Sequence, residues 1–186
     1  MKVYISSTYS DLIDERSAVQ KAILDLRLLS IGMENYSADG SAPVDKCLAD
    51  VRECELYVLL VAYRYGFEPD GFEHSITNLE YLGAVKHEKQ PLVFLLRDDA
   101  PWPRTKQDPD LAKIDAFRAE LQTKHTVNFF SSTEELASQV KSAVSNRLKD
   151  LEPDRKTDKP QLTQPLVSTA HMPQPGKHFV GPSGAR

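Results

Sequence analysis

Residues 56–66, LYVLLVAYRYG, decide the fold of this chain. From Leu56 to Tyr63 the run is apolar almost throughout, with none of the alternation of a strand that has one wet face. A strand of that kind is the centre of a parallel sheet covered by helices on both sides. It is also far shorter than the roughly 20 residues that cross a bilayer.

The flanks agree. Before it, PVDKCLADVRECE places proline at a first helical position and Cys47, Leu48 and Val51 on one side. After it, the loop RYGFEPDGFEHS leads to a helix over 76–88. Working outward, KVYIS (2–6), LSIGMENY (29–36), PLVFLLRD (91–98) and TVNFF (126–130) read as further strands. Tyr9 to Leu28, 110–124 and 131–148 read as helices, the last opened by a Ser132/Glu135 capping box. The order is βα five times over. It predicts one α/β domain over 1–150 with a flavodoxin-like five-stranded parallel sheet, order 2-1-3-4-5, and helices on both faces. Ligands of such sheets sit beyond the carboxyl ends of strands 1 and 3, where the strand order reverses.

Charge and composition exclude several classes. Residues 1–150 carry a net charge of −6 and residues 151–186 of +2, so the globular part lacks the basic footprint of a nucleic-acid binder. No membrane span and no signal peptide are expected, which places the chain in the cytoplasm. Cys47 and Cys54 lie two helical turns apart, about 10 Å, too far for a disulfide. The five histidines show no metal-ligand spacing, and no metal is expected. From Leu151 onward, six of the twelve prolines fall within 36 residues without periodicity, which reads as a disordered linker or tail.

At the expected site, residues 6–9 leave strand 1 and residues 63–66 leave strand 3. Ser6, Ser7 and Thr8 are candidate phosphate or ribose contacts or, alternatively, helix caps. Arg64, followed by Tyr65 and Gly66, either pairs with a phosphate or holds its own loop through Glu68, Asp70 or Glu73. Asp14, Glu15 and Arg16 read as architectural, His74 as a solvated loop histidine, and Trp102 as a sheet-edge cap or an interaction surface. Glu80 has two readings. Thr77-Asn78-Leu79-Glu80 matches a capping box, while a carboxylate near the switch point, shielded by Tyr65, Phe67 and Phe72, suits a glycosidic bond that breaks through a cationic sugar. No GxGxxG, GxxxxGK[ST] or GxSxG pattern occurs, so a dinucleotide fingerprint, a P-loop and a serine-hydrolase elbow are all absent.

Three ordered motifs carry a resemblance: VYISSTYSDLIDERSAV at 3–19, VDKCLADVRECELYVLLVAYRYGF at 44–67 and SITNLEYLGAVKHEKQPLVFLL at 75–96. Together they resemble a TIR-like domain family of otherwise unknown function, over residues 2–148. Its members sit at the N-terminus of STAND-type NTPases in defence and signalling proteins. The resemblance extends to the wider class of TIR and nucleoside 2-deoxyribosyltransferase folds, where a glutamate in an "E.G.A...KP" helix carries glycosyl chemistry. Glu80, Gly83, Ala84 and Gln90-Pro91 occupy that pattern, with Gln90 in place of the commoner lysine. The tail PQPGKHFVGPSGAR is similar to the "FVGR" start of a STAND nucleotide-binding domain, although Gly181-Pro182 departs from the usual Gly-Arg.

The resemblance implies Glu80 as catalyst, Ser6 and Ser7 as phosphate or ribose contacts and Arg64 as a phosphate partner. It implies a domain that binds a nucleotide such as NAD as substrate, with no separate cofactor, and hydrolyses its N-glycosidic bond when clustered. Its partners would be further copies of itself or a C-terminal NTPase domain. Two alternatives stay open. One is a non-catalytic self-association module, and the other a deoxyribosyltransferase-like enzyme with Glu80 as nucleophile.

Overall fold

The computed structural model describes residues 1–33 and 43–151. The predicted linker and nucleotide-binding-domain start after residue 151, and the last three residues of the predicted second strand, lie outside the described residues.

The strands are β1 (Lys2–Ser6), β2 (Leu29–Ile31), β3 (Leu56–Val61), β4 (Leu92–Leu96) and β5 (Val127–Phe130). The helices are α1 (Ile13–Asp25), α2 (Pro43–Glu53), α3 (Ile76–Lys86), α4 (Ala112–Lys124) and α5 (Thr133–Leu151). All pairings are parallel and the order is β2-β1-β3-β4-β5, as the βα alternation predicts.

β3 is buried along its whole length. Its period of two splits the core. Val58 and Leu60 join Val3, Ile5, Phe94 and Phe130 under Val19 and Ile23 of α1 and Val140 and Val144 of α5. Tyr57, Leu59 and Val61 join Tyr4, Val93 and Leu95 under Val51 of α2, Tyr81 and Ala84 of α3, and Phe117 and Leu121 of α4. Burial of these side chains, each worth about 1.5–3 kcal/mol, fixes the register, because a slip of one residue would send both sets to the wrong face. Cys47 and Cys54 are buried and form no disulfide, and Cys54 packs into the second cluster.

Several elements differ at their ends from the sequence reading: β2 stops at Ile31, β3 at Val61 and β4 at Leu96. The first helix starts at Ile13, leaving Ser7 to Leu12 as loop and turn over the carboxyl end of the sheet. It ends at Asp25, and Arg27 follows with φ of 60°. At α5 the expected capping box is present in altered form: the Glu135 N–H donates to the Ser132 hydroxyl at 3.2 Å, while the Glu135 carboxylate accepts from the N–H of Ser131 at 2.8 Å. Among the described residues no helix is long and apolar enough to cross a membrane.

Candidate functional site

The carboxyl ends of β1 and β3 open into a crevice of about 390 Å³. The β1–α1 loop supplies Ser7, Thr8, Tyr9 and Ser10, the β3–α3 loop Arg64, Gly66 and Phe67, and the first turn of α3 Ile76 and Thr77. Met33 and Asp108 close the rim. This is the place that the strand order nominates.

Gly66 lets the two loops meet. Its φ is 97°, and a Cβ there would stand 3.0 Å from Thr8 Cγ2. Only a residue without a side chain adopts that backbone at no cost while touching the opposite wall.

Ser6, Ser7 and Thr8 are not caps. The N-cap of α1 is Leu12, which makes no side-chain capping bond. The Ser7 hydroxyl donates to the Thr8 carbonyl at 2.7 Å and accepts from Arg16 Nη1 at 2.8 Å. Arg16, buried on α1, also donates to the Ile5 carbonyl at 3.2 Å and so fastens the end of β1. Glu15 accepts from the Thr133 hydroxyl at 3.2 Å.

Arg64 has other partners than the acids of its own loop. It donates to the Ser10 hydroxyl at 2.7 Å and the Thr105 carbonyl at 2.9 Å, and its Nε lies 3.7 Å from Asp108. Asp108 in turn accepts from the Tyr65 N–H at 2.7 Å. One guanidinium thus joins the loops after β1, β3 and β4 at the crevice rim. Glu68 instead pairs with Lys113 at 2.6 Å. Trp102 is half-buried against the α1/α5 side of the core, with Lys106 Nζ over its ring at 4.8 Å.

Glu80 overturns the capping box. The N-cap of α3 is Ser75, two residues before the predicted cap, and its hydroxyl accepts from the Asn78 N–H at 3.4 Å. Glu80 therefore lies a full turn inside the helix, on the face turned to the sheet, and is 2 % exposed. Its Oε1 accepts from the Tyr4 phenol at 2.7 Å, and its Oε2 accepts from the Ser6 hydroxyl. Burial raises the proton affinity of this carboxyl above the usual range. The hydroxyls of Ser6 and Tyr4, the Cys47 thiol and the charge of Arg16 act in the opposite sense.

The aromatic shield of Glu80 is not where the sequence suggests. Phe67 is 72 % exposed and Phe72 is exposed beside it, while Tyr65 is buried and accepts from the Asn78 amide at 3.2 Å. Glu80 is covered instead by Tyr4 and Tyr57, whose rings stack at 6.0 Å. His74 stays in the loop, with Nδ1 3.4 Å from the Tyr65 hydroxyl.

The crevice itself is lined by Ser7 and Thr77, and neither Ser6 nor Glu80 reaches its surface. Glu80 lies one helical turn below Thr77 and directly behind Ser6. Of the expected contacts, Ser7, Thr8, Arg64 and Gly66 come together on the crevice, Tyr65 packs beneath it, and Ser6 with Glu80 forms a layer behind it.

Residues 2–145 match the family described as a domain of unknown function, DUF4062. The chain belongs to the DUF4062 family. That membership covers the whole sheet and the site loops, and its description assigns no activity. No curated protein matches the chain.

Sequence reasoning overlooked Asp11, Tyr4 and Asp108. Asp11 is fully buried beneath the β1–α1 loop, and neither carboxylate oxygen has a hydrogen-bond partner. Burial raises its proton affinity; the nearby Thr8 hydroxyl and the charges of Arg64 and Lys106 oppose this. For Tyr4 a signal existed: it alternates with Val3 and Ile5 and so shares a face with Ser6. Among the described residues no group of three or more His, Cys, Asp or Glu is placed to hold a metal.

Proposed function

We propose that this DUF4062 domain is a TIR-like effector domain that takes an NAD-like nucleotide in the crevice and cleaves its N-glycosidic bond with the help of Glu80. The observation that carries this reading is the environment of Glu80. A carboxylate with no capping duty is held in a dry layer behind a crevice at the switch point. A carboxylate whose proton affinity is raised by burial beside a cleft is a candidate for a functional role.

The chemistry follows from that environment. As the bond breaks, its electron pair leaves with the nicotinamide nitrogen and the ribosyl carbon becomes cationic. A carboxylate in a low-dielectric pocket stabilises that charge strongly. Water adds to the carbon and loses one proton, which a carboxylate of raised proton affinity accepts readily. The balance is NAD⁺ plus water giving ADP-ribose, nicotinamide and a proton. The hydroxyls of Thr8, Ser10 and Thr77 and the Arg64 guanidinium supply the polar contacts for the sugar and phosphates.

Titration of the domain with NAD, followed through backbone amide shifts, tests the binding part. Shifts at Ser7, Thr8, Gly66 and Thr77 are expected. Shifts confined to the opposite end of the sheet, around Lys89 and His125, would refute it.

One observation favours a second reading, a self-association module. Phe67 and Phe72 are exposed on the β3–α3 loop, with Tyr9 exposed on the β1–α1 loop and Ile13 exposed at the start of α1. Concentration-dependent sedimentation that F67S abolishes, without nucleotide turnover in any state, would favour it.

A further inference from the structure

The opposite end of the sheet holds a second groove, of about 550 Å³, where β4 and β5 begin. Val85 of α3 and Pro91 and Leu92 at the start of β4 give it an apolar patch. Lys89, Lys124 and Arg147 stand around that patch, with Asp150 as the one acid of its described lining. Lys124 and Arg147 have partners of their own, Glu120 at 2.8 Å and Asp150 at 3.9 Å, and cations suit the carboxyl ends of helices. Those uses account for the charges. They leave the apolar patch, with Val85 exposed in it, without an occupant.

The loop between β3 and α3 carries the complementary features at the other end of the sheet. Phe67 and Phe72 are exposed on it, and so are Asp70 and Glu73, while Glu68 is held by Lys113. An aromatic side chain takes about 150–250 Å² of surface into a contact. Two such loops facing each other would set Asp70 and Glu73 against like charges, which opposes a symmetric loop-to-loop contact. In the groove the same acids meet Lys89, Lys124 and Arg147. Loop and groove are separated by the length of the strands, about 15–20 Å, so the loop cannot fill the groove of its own chain.

We propose that the occupant of the groove is a second copy of this chain, whose β3–α3 loop inserts Phe67 and Phe72 among the three cations. This rests on the self-association reading and names the face that receives the loop. It stands whether or not the crevice turns over a nucleotide. The contact is heterologous: each copy offers a loop at one end and a groove at the other, so addition continues head to tail. An interface built on one loop is small, so association rises with protein concentration and weakens with salt.

Sedimentation velocity of the full chain tests this, with two variants that replace only exposed side chains. F67S/F72S disables the loop, and K124E/N146E reverses the charge of the groove, which Asn146 also lines. Expected is growth of the wild type beyond a dimer as concentration rises, weakened about tenfold or more in each variant alone. A mixture of the two variants should restore a single contact, because one keeps its groove and the other its loop. It should give a species of two chains that grows no further. Circular dichroism checks that each variant is folded, and D70K/E73K replaces F67S/F72S should that one misfold. Association lost in the loop variant but unchanged in K124E/N146E, or a mixture that stays monomeric, would overturn the groove as the receiving face and leave self-association standing. A wild type that stops at a dimer would overturn the head-to-tail contact, and one monomeric at every concentration would overturn self-association with it.

Discussion

The Tyr4 phenol and the Glu80 carboxylate, 76 positions apart in sequence, meet at 2.7 Å inside the protein and tie α3 to β1. The carboxylate is desolvated, so its stability contribution depends on protonation. Its folded proton affinity lies above the ordinary glutamate value of 4.5. The folded state therefore holds a proton that the unfolded state has released, and stability falls as pH rises from about 4.5 through the folded value. Glu80→Gln does not titrate. Denaturant unfolding should show the wild type losing stability relative to E80Q between pH 4 and pH 8. A difference that stays constant, or that grows in the wild type's favour with pH, would contradict the burial account.

Asp11 obeys the same sign for a different reason. Neither of its oxygens is hydrogen-bonded, and its proton affinity is raised by burial. Its contribution is most favourable below the ordinary aspartate value of 3.8 and declines above it. Asp11→Asn should raise stability at pH 8 by on the order of 1 kcal/mol, and the gain should shrink towards pH 4. If D11N also weakens nucleotide binding, Asp11 is a case of stability sacrificed at a site. Thermal melts at the two pH values check the first part.

Gly66 is the point of close approach between the two walls of the crevice. Gly66→Ala combines a φ of 97° with a contact of 3.0 Å to Thr8 Cγ2. Expected is a loss of about 1–3 kcal/mol, together with displaced amide shifts at Thr8 and Thr77. A neutral G66A would mean that the loops yield more easily than their packing indicates.

Arg64 joins three loops because its planar fork reaches two acceptors at once. Arg64→Lys keeps the charge but offers a single ammonium. Hydrogen exchange at the Tyr65 N–H, which donates to Asp108, should accelerate several-fold in R64K while exchange in β3 stays unchanged. Unaltered exchange at Tyr65 would show that Asp108 is held by its own backbone, whose N–H donates to the Tyr63 carbonyl at 3.0 Å.

How much of this was legible in the sequence depends on the range of the interaction. The sheet was legible because each strand carries its own pattern. Leu56 to Val61 is apolar on both faces, and Tyr4 and Ser6 alternate with Val3 and Ile5. The place of the crevice followed from the strand order. The orientation of Glu80 did not, because Thr77-x-x-Glu80 satisfies the capping pattern while the true cap, Ser75, lies just upstream. Nor was the partner of Arg64 legible, since Asp108 comes from a loop after the next strand and nothing in the local spacing of RYGFEPD distinguishes it from Glu68 or Asp70. The polar partners are tertiary facts. The apolar pattern is a local one.

The most direct measurement is nicotinamide release from NAD by the domain fused to an oligomerising coiled coil, wild type against Glu80→Gln, with both proteins shown to be folded. Release by the wild type is expected to rise with pH as Glu80 ionises, and to fall at least a hundredfold in E80Q. Release undiminished in E80Q would contradict it by removing Glu80 from the chemistry. No release by the wild type at any pH would contradict it by leaving the crevice without this substrate.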